Sequence, residues 1–144
     1  MIRLLTGLPL LAFLSACATP APAPQPAPAP AMVIISEEDV KVDEPPPHGR
    51  IGMSTAWRIS DAVPVRAFEF RKRALHPGSA IGIHPIIHDE IYYVLSGEGV
   101  VHSGGEEQTL TAGMAAYLYT GAQVGIRQTG PEPLVLIIAY PPGG

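Results

Sequence analysis

The stretch "GSAIGIHPIIHDEIYYVLSG", residues 78–97, decides the fold. Two runs rich in isoleucine, tyrosine and valine lie between Gly78 and Gly97, broken by His88-Asp89. Such runs read as strands and the polar break between them as a turn. Side chains alternate along a strand, so positions 84 and 86 share one face. The stretch therefore holds two histidines and two acids where a pair of strands could bring them together, and function turns on whether they form a metal site or the remnant of one.

Outward from this stretch the same texture continues. "VRAFEFRKRAL", "EEQTL", "MAAYLY", "QVGIRQ" and "LVLIIAY" are short and strand-like, and "HPGS", "SGEG", "SGGEE", "TAGM", "TGAQ" and "TGPEP" separate them. Regular short strands with turn signals predict an all-β sandwich or barrel. Gly104-Gly105 suits a tight hairpin, which needs positive φ. The nearly unbroken apolar run of "PLVLIIAYPP" predicts a strand in the middle of a sheet. In "FEFRKRAL", Phe68 and Phe70 fall on one face and Glu69, Arg71 and Arg73 on the other, which reads as a solvated polar face.

The N-terminal third is of another kind. One arginine precedes an apolar run from Leu4 to Phe13, too short to span a bilayer, and small residues lead to Cys17, the single cysteine of the chain. "LSAC" resembles the lipobox of bacterial lipoproteins, which implies cleavage after residue 16 and acylation of Cys17. That resemblance, with Ala18 following, implies a periplasmic position anchored in the outer membrane. Residues 19–31, "TPAPAPQPAPAPA", favour extended polyproline II and read as a semi-rigid stalk. "SEEDVKVDEPPPHGR" continues the stalk or forms an edge strand. The organisation expected is a signal peptide over 1–16, lipidated cysteine and stalk over 17–47, and one domain over 48–144. Removal of the signal peptide takes one of nine basic residues and leaves thirteen acidic ones, which gives no electrostatic reason to bind nucleic acid.

Residues 78–97 resemble the first motif of the cupins, in which a glycine, five residues, His-x-His, a glutamate and a final glycine follow in order. Gly78, His84, Glu90 and Gly97 are in register with it. The second motif is degenerate: Gly113 and Gly121 match, but Tyr119, Val124 and Gln128 stand at the proline, histidine and asparagine positions. The resemblance implies a cupin-type double-stranded β-helix, a small jelly-roll barrel. It also implies a small-molecule ligand, and it allows a homodimer built by adding an edge strand.

The family's metal is held by the His-x-His pair, the glutamate and the second-motif histidine. Carried over, His84 and Glu90 remain, while Ile86 and Val124 occupy the other two places. A variant set of His84, His88 and Glu90 would offer two imidazoles and a carboxylate to a divalent ion such as Zn, Mn, Fe or Ni. Against it, residues 87–89 should form a turn, where His88 would face solvent; Asp89 reads as a turn residue. Glu90, if interior, needs a metal, a histidine or a ligand as partner. Ile86, Tyr92, Tyr117, Tyr119, Val124 and Gln128 are candidate pocket residues, and His102 reads as surface or filler. Three functions follow: a small-molecule-binding cupin with or without metal, a metal-dependent oxygenase or isomerase, or an envelope interaction module with a vestigial pocket.

Overall fold

A computed structural model of the chain describes residues 29–143. The expected signal peptide, Cys17 and most of the Pro-Ala tract lie outside the described residues. Ten strands form two antiparallel sheets: β1 Lys41–Glu44, β2 Ser54–Trp57, β3 Glu69–Leu75, β4 Ala80–Pro85, β5 Glu90–Ser96, β6 Glu98–Ser103, β7 Glu106–Thr111, β8 Ala115–Leu118, β9 Gln123–Thr129 and β10 Leu134–Tyr140. One sheet has the order β1-β2-β3-β10-β5-β8 and the other β4-β9-β6-β7. Among the described residues the helical elements are two 3-10 turns, Glu37–Asp39 and Ile59–Ala62. The expected all-β, jelly-roll architecture is what forms.

Local chemistry sets the elements. β10 pairs with β3 on one side and β5 on the other, so the most apolar run of the chain occupies the interior of its sheet. The β6–β7 hairpin turns through Gly104 and Gly105 at φ 59° and 93°. Gly97 links β5 to β6 at φ 77°, and a Cβ there would lie 2.2 Å from the Pro133 carbonyl oxygen, so only glycine fits. The segment left open as stalk or edge strand resolves as an edge strand: β1 pairs with β2 from Lys41↔Trp57 to Glu44↔Ser54. The sheet thus reaches ahead of residue 48, and Pro46 is fully buried.

The barrel interior is divided along its length. At one end Leu75, Val94, Val101, Leu110, Ile126, Leu134 and Leu136 form a closed apolar core; each large side chain so buried stabilises the fold by about 1.5–3 kcal/mol before entropy is counted. At the other end the same strands turn polar side chains inward. β3 departs from expectation here. Glu69 and Arg73 are buried, whereas Phe68 and Phe70 are exposed, so the charged face points into the barrel and the aromatic face out. The inversion holds because partners await the charges inside. Arg73 donates to the Ser54 hydroxyl and to Glu44, and Glu69 accepts from Ser60, Arg66 and Arg71. Paired in this way, buried charge is tolerated.

Candidate functional site

The polar end of the barrel opens into a cleft. β3 contributes Arg71, Lys72 and Arg73, β5 contributes Glu90 and Tyr92, β10 contributes Ile138 and Tyr140, and β4 contributes His84. Ahead of the barrel strands, Pro47 and His48 close one wall, with Trp57 and Arg58 beside them.

His84 anchors the wall formed by β4. Its Nδ1 lies 2.9 Å from the Gly82 carbonyl oxygen, and its ring stacks on His48 with centroids 3.5 Å apart and planes 6° from parallel. The segment carrying His48 is seated directly on β4, because a Cβ on Gly82 would meet the His48 carbonyl oxygen at 1.6 Å. His48 and Arg50 hold positive φ of 56° and 54°, uncommon for residues with a side chain. Burial, and then the neighbouring His84, hold His48 below its ordinary imidazole value. Two stacked imidazoles resist carrying two protons at once.

Glu90 is buried at the start of β5. Burial raises its carboxyl above the ordinary value, and the proximity of His88 and His84 offsets only part of that rise. Its Oε1 is 3.7 Å from His88 Nδ1, and the Tyr92 hydroxyl faces it. Burial, followed by the charge of Glu90, pushes Tyr92 above its normal range, so the phenol stays protonated. His88 belongs to the turn, as expected for residues 87–89, yet it folds back instead of facing solvent. Its ring stacks on Tyr140 at 4.8 Å, and its Nδ1 is buried without a hydrogen-bond partner.

The cations of the cleft are held by acids. Glu44 on β1 takes both Arg58 and Arg73; Arg71 reaches Glu69 and Asp61; Lys72 reaches Glu37 and lies 3.9 Å above the Trp57 ring. Burial pushes the Glu69 carboxyl up, but hydrogen bonds from Ser60, Arg66 and Arg71 outweigh it and hold the group low. One guanidinium nitrogen escapes this pairing. Arg71 Nε is buried with no partner, and its guanidinium carbon stands 5.8 Å from the Tyr140 centroid. Two unpartnered nitrogens, Arg71 Nε and His88 Nδ1, therefore pack on the same tyrosine.

The other residues singled out in the sequence are placed elsewhere. Ile86 and Val124 are core residues, 4% and 0% exposed, and line no part of the cleft. Tyr117 and Tyr119 are exposed, and Tyr117 donates to Asp89. Asp89 accepts further bonds from the amide and hydroxyl of Thr120, which together with Tyr117 hold its carboxyl at about 2. It is a turn residue, as its type and position suggested. Gln128 is buried but braces a loop: its Oε1 accepts from the Gly78 amide and its Nε2 donates to the carbonyls of Thr129, Gly130 and Glu132. His102 pairs across the strands with Gly125 and Glu107, away from the cleft. Of the proposed pocket residues, Tyr92 alone lines it. Sequence reading missed His48, Trp57, Arg58 and Lys72; "PPPHG" was the available signal for His48, since a histidine locked between prolines and glycine sits on a stiff segment.

The family's metal centre does not fit these residues. Two of its four positions are aliphatic and packed into the core, and among the described residues no three His, Cys, Asp or Glu side chains converge as a metal-holding group. His84, His88 and Glu90 gather at the same end of the barrel, but His88 is engaged with Tyr140.

Comparison with known proteins agrees with this architecture. An oxalate-binding protein of Thermotoga maritima is 37% identical over 77 residues, which are 51% of this chain and 62% of the relative. The chain thus spans less than two thirds of that curated relative's length. Among solved structures, a protein described as a predicted oxalate decarboxylase from Thermotoga maritima superposes with a TM-score of 0.67 at 25% identity, covering 76% of this chain and 98% of that one. An RmlC-like cupin from Shewanella frigidimarina superposes at 0.60 with 20% identity, covering 78% of this chain and 93% of that one, which supports the fold alone. The model of the cupin domain family matches residues 72–140, the span from β3 to β10 that carries Glu90, Tyr92, His84 and Tyr140, and the chain carries a cupin domain.

Proposed function

We propose that this cupin binds a small carboxylic acid in the cleft at the polar end of its barrel, using its own donors and no metal. The observation that carries the reading is Arg71 Nε, a buried N–H donor without a partner on a residue that lines the cleft and packs on Tyr140. A buried donor without a partner costs about 1–3 kcal/mol, and a carboxylate oxygen brought to it removes that cost. Protonated Tyr92, and Glu90 when neutral, are positioned to donate to the other end of a compact acid. The relatives named for oxalate suggest the size and charge of the ligand. Binding without turnover is favoured over the oxygenase or isomerase reading, because those chemistries use a metal centre that this donor set does not assemble.

A second reading places a divalent ion on His84, His88 and Glu90. One feature favours it: with Nδ1 engaged by the Gly82 carbonyl, His84 keeps Nε2 free, the arrangement by which proteins orient a metal-ligating imidazole. It requires His88 to leave Tyr140 and the three groups to converge. Position in the cell belongs to the proposal as well. Acylated Cys17, followed by the Pro-Ala tract, would tether the barrel to the periplasmic face of the outer membrane.

The test is calorimetric titration of oxalate into chelator-treated protein, then into protein supplied with Zn or Mn. Binding to the chelated protein is expected, weakened at least about tenfold by Arg71→Gln, as befits a charge-assisted hydrogen bond. Binding that appears only with added metal, and is lost in His84→Ala and His88→Ala, establishes the metal reading instead. No binding in either state leaves the envelope-module reading.

A further inference from the structure

The N-terminal approach to the cleft carries more positive charge than one bound carboxylate needs. A second hollow adjoins the cleft and shares Arg58, Arg71, Arg73 and Tyr140 with it. Its remaining wall is the segment that leaves β1, running from Glu44 through three prolines to His48 and Arg50. The cleft reaches inward to buried Ile81, Glu90 and Tyr92, whereas this hollow ends at exposed Arg50. It is the outer part of the same opening.

Backbone and charge both mark the outer hollow. His48 and Arg50 hold left-handed φ of 56° and 54° on either side of Gly49. Glycine would take either position without strain, yet a histidine and an arginine stand there, on a segment anchored by buried Pro46. Strain of this kind persists where the side chain has a use. Four guanidinium groups line the hollow against one carboxylate, Glu44, which is divided between Arg58 and Arg73. Arg71 is matched by Glu69 and Asp61, which it shares with Arg66. Arg50 takes part in no ion pair among the described residues, and these include all thirteen acidic residues of the chain. One carboxylate for Arg58 and Arg73, and none for Arg50, leaves two positive charges in excess here, in a chain whose formal net charge is -4.

We propose that the ligand of this cleft is a dicarboxylic acid longer than oxalate, with one carboxylate in the inner part beside Arg71 Nε and Tyr92 and the other in the outer hollow on Arg50 and Arg58. This rests on the carboxylic-acid reading above and names the class of acid. Arg71 Nε, the buried donor without a partner, belongs to a side chain that lines both parts. Arg58 gives Nη2 to Glu44 and keeps its other donors for a ligand. The planar fork of a guanidinium matches the two oxygens of a carboxylate. A dianion also removes the two excess charges. A phosphate at the outer end would bring further negative charge beside Glu44, which like-charge repulsion disfavours, so a carboxylate is the better complement. Oxalate, whose two carboxylates are directly bonded, occupies the inner part alone and leaves Arg50 unpaired.

Calorimetric titration of the chelator-treated full chain with oxalate, succinate, glutarate and monomethyl glutarate tests this. Succinate or glutarate is expected to bind at least about tenfold more tightly than oxalate, as an added charge-assisted contact implies. Monomethyl glutarate, which lacks one charge, should lose that gain. Arg50→Gly and Arg50→Gln should each cut the preference for the longer diacid over oxalate at least about tenfold. Arg50→Gly also relaxes the left-handed backbone, so its melting temperature should match or exceed that of the wild type, which separates lost affinity from lost fold. Arg50→Gln removes the charge and keeps a long polar side chain. Oxalate binding at least as tightly as both longer diacids, or a preference unchanged in both Arg50 variants, overturns the inference. The carboxylic-acid reading then still stands, because oxalate binding and its sensitivity to Arg71→Gln carry that reading separately. No binding of any of these acids overturns both. A preference that falls only with a lowered melting temperature in both variants overturns the inference as a structural effect. Arg50-dependent binding of 2-phosphoglycolate tighter than that of either longer diacid overturns the second carboxylate in favour of a phosphorylated acid.

Discussion

Glu90 is the residue whose surroundings say most about the cleft. Burial raises its carboxyl above the reference value of 4.5, and the nearby histidines do not cancel the effect. For an acid with a raised folded value, the stability owed to the neutral form is present below the unfolded value and lost as pH rises through the folded one. At pH 7 an ionised Glu90 therefore burdens the fold. Glu90→Gln keeps the shape and hydrogen-bonding capacity but cannot ionise. It is expected to melt above the wild type at pH 7, with the gap closing as pH falls below about 4. Thermal unfolding followed across that range checks the sign; a gap independent of pH would mean that glutamine acts through packing alone.

Among the elements, the segment from Pro45 to Gly52 controls the cleft as much as any strand does. It enters from β1, whose Glu44 clamps Arg58 and Arg73, and it crosses β4 at Gly82 so closely that no side chain fits beneath His48. Gly82→Ala must lift this segment. The expected cost is about 1–3 kcal/mol, the usual penalty for overpacking a close contact. Because the His48–His84 stack lies at the same crossing, oxalate affinity should fall together with stability. Urea unfolding and calorimetry of the one variant measure both. Unchanged stability would show that the segment is not seated on β4 in solution.

At the scale of the whole molecule, the barrel has an apolar closed end, a polar open end, and an N-terminal approach through β1. The folded unit begins with the 3-10 turn at Glu37, which ties down Lys72, so the linker available to a tether ends ahead of that residue. If acylated Cys17 supplies the tether, Cys17→Ser should move the protein from the membrane fraction to the soluble one without changing the melting temperature, since the cysteine lies ahead of the described fold. Fractionation in salt and detergent reads this directly. Variant protein that still sediments with outer membrane in high salt would rule out the lipid anchor.

What the sequence determined by itself was the strand architecture and the identity of its turns. Alternation, β-branched runs and glycines at Gly97, Gly104 and Gly105 are local signals, and local backbone sterics enforce them whatever the rest of the chain does. The central place of β10 was equally legible, because an unbroken apolar run has nowhere else to go. His84 and Glu90 were picked out through the resemblance of residues 78–97 to a family motif and Tyr92 as a strand aromatic, and all three line the cleft. Tertiary structure alone decided which face of β3 turns inward. Alternation marks two faces but not their sense, and here ion pairs with Glu44 and Asp61 and hydrogen bonds with Ser54 and Ser60, distant in sequence or on another element, reversed the usual preference. The same holds for His88, whose turn position predicted solvent but whose ring found Tyr140 some fifty residues on, and for the wall built by His48 and Arg58. Such placements depend on contacts between segments that the chain brings together only on folding, and no local pattern carries them.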